Sequence, residues 1–280
     1  MKINKKLLAT AAGALLVLTL GACGGGGSGG VGGDPGEGGP VTIGIKFDQP
    51  GLGQQEGSNY TGFDVEVARY VAKELGYTDV TFKEAPSPQR ETLLQSAQVK
   101  MIFATYSIND DRKTKISFAG PYFVAGQDLL VKSADTDITG PESLDGKKLC
   151  SVTNSTSAKK IKTDFSTGVQ LQEYDAYSKC VEALKTPAID ALTTDNVILA
   201  GFAAQPQYEG MFRLVGKPFS TERYGVGIEK GDTKLCEAVN AALTKMVSDG
   251  SWQKALDSTV GPSGFKVDTS TNPPPLDPCS

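Results

Sequence analysis

The chain contains no histidine. That absence removes the Ser-His-Asp and Cys-His catalytic arrangements, the H-E-x-x-H zinc site, and zinc sites other than all-cysteine ones. No Walker A stretch (G-x-x-x-x-G-K-[ST]) occurs, so the usual phosphate-cradling loop is missing too. Neither sign of charge dominates: 28 Lys and Arg stand against 32 Asp and Glu, a net charge of −4. The basic clusters at Lys2–Lys6 and Lys159–Lys162 are short, and nothing in the charge pattern points to nucleic acid. The apolar stretch at residues 7–20 is too short for a typical spanning helix. These absences point away from an enzyme and from any metal or cofactor site.

The 280 residues suffice for two modest domains. The N-terminus reads as a targeting segment: Lys2, Lys5 and Lys6 precede the apolar stretch, and Leu20-Gly21-Ala22-Cys23 then matches a lipoprotein signal. Residues 1–22 are therefore expected to be a signal peptide, with Cys23 lipidated after cleavage. Several acyl chains on such a cysteine hold firmly where one holds weakly. Residues 24–40 are mostly glycine. They read as a tether that, as a coil, spans on the order of 20–25 Å r.m.s.. Five cysteines fit an exported protein. With Cys23 set aside, four remain and three pairings are possible. Cys150 with Cys180 is favoured, because both follow predicted core elements in the same half of the chain. Closing that loop contributes roughly 3–4 kcal/mol in the chain-entropy model. Cys236 would then pair with Cys279 and pin the proline-rich tail back onto a helix.

From residue 41 onward strand and helix signals alternate. Val41–Ile45 reads as a strand. Asp64 is a candidate N-cap for a helix on which Val65, Ala68, Val71, Ala72 and Leu75 recur at helical spacing, and Gly76 is its stop. Asp79–Lys83 (strand), Glu91–Val99 (helix) and Lys100–Ala104 (strand) follow. The rhythm restarts with a strand at Lys147–Val152, a helix at Ser157–Phe165, and a strand at Val169–Glu173. A helix at Tyr177–Leu184, a strand at Ala188–Thr193 and a helix at Asn196–Ala203 complete the second series. Tyr224–Ile228 (strand) and helices at Thr233–Ser248 and Ser251–Leu256 close the chain. Such alternation implies mainly parallel sheets covered by helices, in two α/β units.

Residues 101–123 hold the most telling constellation. Apolar Met101–Ala104 ends in the hydroxyl-bearing Thr105, Tyr106 and Ser107, and Arg112 follows five residues later. A strand tip that supplies hydroxyls beside a guanidinium suits a carboxylate, because the planar donor fork matches its two oxygens. Together with G-F-D-V-E-V-A at 62–68, S-x-N-x-x-R ending at Arg112, F-A-G-P-Y-F at 118–123 and D-A-L-T-T-D at 190–195, the stretch resembles the bacterial extracellular solute-binding proteins for polar amino acids, the receptors of ABC importers. The resemblance covers residues 41–262 and leans towards binders of glutamate and aspartate.

The resemblance implies a two-domain, periplasmic-binding-protein-like (type II) α/β fold, two sandwiches joined by a two-strand hinge. Domain 1 would comprise 41–125 and 222–262, domain 2 would comprise 126–221, and 263–280 would be a tail. Hinge crossings are expected near 124–128 and 219–223. It further implies that Arg112, with Thr105 and Ser107, binds the ligand α-carboxylate, that Asp195 takes the ammonium, and that Ser155 and Thr156, next to Asn154, complete the carboxylate cage. Lys46, Ser87 and Arg90 would hold a side-chain carboxylate, and Tyr177 matches a further pocket position. Asp195 also suits a helix N-cap, a role that can coexist with binding. Phe47 and Gln49 would cover the ligand. Lys46, Arg90, Arg112 and Asp195 carry a net +2 against the −1 of a glutamate zwitterion, whereas glutamine would leave a buried cation unpaired.

The expectation is therefore a monomeric receptor, held to the membrane only by its lipid, on the outer face of the cytoplasmic membrane. It would capture L-glutamate or L-aspartate without chemical change and deliver it to an ABC permease and its ATPase. Two other readings are an amino-acid-sensing receptor subunit and a dehydratase-like enzyme on the same scaffold, for which Glu173 is the candidate acid or base.

Overall fold

A computed structural model describes residues 33–165 and 168–279. The signal segment, Cys23 and the tether up to residue 32 lie outside the described residues. Among the described residues no helix is long and apolar enough to cross a membrane.

The first α/β unit begins with β1 (Pro40–Ile45), a small antiparallel flap of β2 (Asp48–Gln49), β3 (Gly53–Glu56) and β4 (Asn59–Thr61), and helix α1 (Phe63–Glu74). It continues through β5 (Asp79–Glu84), α2 (Arg90–Gln95), β6 (Met101–Phe103), the one-turn α3 (Asp110–Lys113) and β7 (Ser117–Ala125). The second comprises β8 (Gln127–Lys132), β9 (Lys148–Val152), α4 (Thr156–Lys160), β10 (Gln170–Tyr174), α5 (Tyr177–Leu184), β11 (Ala191–Asp195), α6 (Asn196–Ala203) and β12 (Phe212–Leu214). The chain then returns with β13 (Glu222–Ile228), α7 (Thr233–Ser248) and α8 (Ser251–Thr259).

The strands form two five-stranded sheets of matching design, ordered β5-β1-β6-β13-β7 and β10-β9-β11-β8-β12. In each, three parallel strands are followed by one antiparallel strand, β13 or β8, and the edge strand beyond it, β7 or β12, runs parallel to the first three again. Insertion of β13 between β6 and β7 shows that the chain comes back to the first sheet. It leaves that sheet at Gly126 and returns between Leu214 and Glu222, and the two crossing segments are bonded to each other by Phe219 N–H to the Gln127 carbonyl at 2.9 Å. This is the two-domain arrangement expected, with more antiparallel pairing than the alternation alone implied.

Helix α1 buries Val65, Val67, Ala68, Val71 and Ala72 and packs between the strands β1 and β6 and the helices α7 and α8. Its N-cap is Gly62, not Asp64, and Gly62 adopts φ 115°. A Cβ there would meet the Leu52 carbonyl oxygen at 2.2 Å, so glycine is required for the chain to turn from the flap into the helix. Asp64 sits inside the first turn and points its carboxylate across to the site. The glycine-rich segment is fastened from Gly33 onward: the Gly36 N–H donates to the Leu75 carbonyl at 2.8 Å, and Tyr77 O–H to the Gly33 carbonyl at 2.8 Å. Both favoured disulfides are present, Cys150–Cys180 with Cα atoms 5.7 Å apart and Cys236–Cys279 at 5.8 Å. The second holds the tail against α7. Asn272 binds it to β7 through both backbone groups of Val124, at 2.8 and 2.9 Å.

Candidate functional site

The carboxyl ends of the parallel strands of both sheets face one cavity. Open α/β sheets place ligands at this end of their strands. From the first unit it is lined by Gln49, Ser87, Arg90, Thr105, Ser107 and Arg112, and from the second by Ser155, Thr156, Ser157, Tyr177, Thr194, Asp195 and Ile198. Of the two residues expected to cover the ligand, Gln49 lines the cavity, whereas Phe47 does not and packs on Tyr60 with ring centres 5.2 Å apart. Of the residues expected to bind the ligand directly, all but one meet here.

The exception is Lys46. It is buried at 1% exposure just past β1, but its ammonium lies 3.0 Å from Asp48 Oδ1 and it is not among the lining residues. The physical reason is local: the flap turns the chain so that Asp48, two residues on, meets the lysine.

The turn after β6 is built around Thr105, which takes φ 45°, an uncommon value for a branched residue. Asp64 holds it there, accepting the Thr105 N–H at 2.9 Å on one oxygen and Tyr122 O–H at 2.7 Å on the other. Burial pushes Asp64 up to about 6 despite these bonds. Arg112 is oriented by its own helix. Asn109 caps α3 by accepting the Arg112 N–H at 2.9 Å, and the guanidinium donates to the Ser107 carbonyl at 2.7 Å. Tyr106 lies between two cations, with the guanidinium carbons of Arg112 and Arg90 at 4.7 and 4.9 Å from its ring centre. Arg90 also donates to the Ala85 carbonyl at 3.1 Å, and burial, with Arg112 adding to it, lowers its affinity for its proton. Glu91 stands 3.7 Å from Arg112.

From the second unit, Asn154 adopts φ 62°, a conformation asparagine tolerates, and so does the work of a glycine there. Ser155 is the N-cap of α4 and accepts the Ala158 N–H at 3.1 Å, while Thr156 Oγ1 donates to Glu222 at 3.1 Å and accepts from Gln127 at 3.1 Å. Asp195 ends β11 at the N-cap position of α6 but makes no side-chain cap. Its carboxylate instead accepts Tyr224 O–H at 2.7 Å. Burial, then Glu222, raises Asp195 to about 8. Tyr177 is buried beside it, and burial followed by the Asp195 charge pushes its phenol up.

Sequence reasoning missed Ser157, Thr194 and Ile198. Thr194 directly precedes Asp195 in D-A-L-T-T-D, so the motif held a signal for it; Ser157 and Ile198 carried none. Glu173, the acid or base suggested for an enzyme, is paired with Lys162 at 3.1 Å on β10 and does not line the cavity.

Residues 41–262 match the family described as bacterial extracellular solute-binding proteins, family 3. The chain is 48% identical over 276 residues to the "Glutamate-binding protein GluB" of Corynebacterium efficiens, covering 94% of this chain and 93% of that one. It is 36% identical to the "ABC transporter glutamine-binding protein GlnH" of Bacillus subtilis over 76% of this chain and 78% of the relative. Among solved structures, an ancestral arginine-binding protein bound to glutamine superposes with a TM-score of 0.74 at 32% identity, covering 79% of this chain and 98% of the other. With two matching α/β sheets, a cavity lined from both and a family match that spans them, this chain belongs to the bacterial extracellular solute-binding proteins, family 3.

Proposed function

We propose that the protein captures an acidic amino acid, glutamate and also aspartate, between its two lobes and hands it unchanged to an ABC permease with its ATPase. The lobes are taken as 41–125 with 222–262, and 126–221; residues 1–22 are a signal peptide, 23–40 a lipidated cysteine with its glycine-rich segment, and 263–280 a tail. The lipid on Cys23 keeps the receptor, acting as a monomer, on the outer face of the cytoplasmic membrane.

The observation that carries this reading is the charge of the cavity wall. Its charged lining residues are Arg90, Arg112 and Asp195, which together carry +1 when Asp195 is ionised. A glutamate or aspartate zwitterion carries −1 and neutralises them. Arg112, with Thr105, Ser107, Ser155 and Thr156, takes the α-carboxylate; Asp195 takes the ammonium, with Tyr177 behind it; Arg90 and Ser87 take the side-chain carboxylate. Lys46 makes no direct contact in this assignment, because its ammonium faces Asp48. A buried carboxylate requires its charge paired and its lone pairs filled, and two guanidiniums about one tyrosine ring supply that for both ends of the ligand.

Ligand-induced thermal shifts test the assignment, since a ligand that binds only the native state raises apparent stability. L-glutamate is expected to raise the Tm of the wild-type protein. Arg112→Ala is expected to abolish the shift, and Arg90→Ala to shrink the shift for glutamate more than that for glutamine. A wild-type shift with glutamate that survives Arg112→Ala intact contradicts the assignment.

A further inference from the structure

Asp48 contacts both lobes at once. Its Oδ1 is 3.0 Å from the Lys46 ammonium, a charge contact without the alignment of a hydrogen bond. Its Oδ2 accepts from the backbone N–H of Ser178 at 3.3 Å and lies 3.4 Å from the Ser178 hydroxyl. Asp48 belongs to the flap of the first lobe and Ser178 to the first turn of α5 in the second. Helix α5 has Ala176 at its N-cap and no side-chain cap of its own. Its leading N–H groups need an acceptor, and the Asp48 carboxylate supplies one from across the cleft. The next residues of the flap reinforce the seam: the Pro50 carbonyl packs so closely on Gly201 of α6 that a Cβ there would meet it at 2.2 Å. Lys46 is buried and needs a counter-charge. Asp175, just before α5, also feels Lys46, although Lys179 is its main partner.

We propose that Asp48 is a positioning residue that ties Lys46 to lobe closure: one oxygen neutralises the lysine while the other caps α5 of the opposite lobe. The proposal rests on the reading of the cavity as an amino-acid site closed by lobe movement. When the lobes part, α5 loses its acceptor and Asp48 retains only Lys46. When they meet, the same carboxylate serves both, and the flap that carries Lys46 is locked to α5. Asp48 thereby slows ligand release without touching the ligand.

The test is a double-mutant cycle on Asp48→Asn and Ser178→Ala, with L-glutamate as probe and stopped-flow association and dissociation as readout. Asp48→Asn is expected to speed release roughly tenfold, the scale of losing a hydrogen bond to a charged group, with little change in the association rate. Ser178→Ala is expected to speed release less, and to add almost nothing in the Asp48→Asn background. Wild-type release rates in Asp48→Asn, or strictly additive effects, overturn the proposal. If Asp48→Asn fails to fold, the release rate of Ser178→Ala decides alone. If the wild-type protein does not bind glutamate, it is the ligand assignment that fails. The latch is then read from distances between spin labels on the two lobes without ligand, which Asp48→Asn should lengthen; an unchanged distribution overturns it.

Discussion

Burial raises the Asp195 carboxyl from its ordinary 3.8 to about 8, with Glu222 adding to the shift and Tyr224, Arg112 and Arg90 opposing it. Asp64 is raised in the same direction, to about 6. A carboxyl whose folded value is raised destabilises the native state once pH exceeds its unfolded value, and that cost grows until pH passes the folded value. Stability of the ligand-free protein is therefore expected to fall as pH rises from about 4, through about 6 for Asp64 and about 8 for Asp195. Between pH 6 and 8 Asp195 is the contributor of the two, and the loss amounts to at most about 2–3 kcal/mol. Asp195→Asn should flatten that part of the Tm-versus-pH curve and leave the ligand-free variant more stable than wild type at pH 8, while abolishing ligand binding. Parallel slopes for the two proteins would contradict this. In the proposed assignment the ligand ammonium relieves the same cost, which links capture to the charge of Asp195. At this scale much of the site was legible. Arg112 and Ser107 stood out because a strand tip ending in hydroxyls and a guanidinium share one short motif. Lys46 was misleading because its pairing with Asp48 depends on a flap that leaves little trace in the sequence.

Helices α5, α6 and α7 have the same bounds in the structure as in the sequence reading, because α5 and α7 carry an apolar face at helical spacing and α6 is a continuous apolar run after Asn196. The flap strands β2, β3 and β4 were not legible. Their residues are polar and partly exposed, so no alternation marks them. Helix α2 stops at Gln95 instead of Val99, where Ala97 turns to φ 49°. The helix expected over Ser157–Phe165 is divided into α4 and a π turn at Ile161–Phe165. The element with the sharpest mechanical consequence is α6. Gly201 sits in its interior, where alanine would favour the helix itself. The Pro50 carbonyl leaves no room for a Cβ when the lobes are together. Overpacking of this kind costs about 1–3 kcal/mol, so Gly201→Ala is expected to weaken glutamate affinity roughly 5- to 150-fold. Small-angle scattering should show the glutamate-saturated variant less compact than wild type, with no loss of ligand-free Tm. Wild-type affinity and compaction would contradict the role of this contact.

For the molecule as a whole, alternation of strand and helix signals revealed two α/β units, but not that β13 returns to the first sheet. Periodicity is blind to which sheet a strand joins, and only the family resemblance supplied the return. The return matters because it makes two crossings, at Gly126 and between Leu214 and Glu222, about which the lobes can bend. In the assignment proposed above, hinge bending brings Asp195, Ser155 and Thr156 onto a ligand already held by Arg112 and Arg90. The central claim is that this cleft is built for a second carboxylate. Glutamine is the discriminating competitor, since it keeps the α-carboxylate and ammonium and removes only the side-chain charge. Calorimetric titration of the wild-type protein with L-glutamate and L-glutamine at one pH and ionic strength tests the claim most directly. The account predicts tighter binding of glutamate by about a hundredfold or more, the scale of leaving a buried cation unpaired. Equal affinities for the two would contradict it.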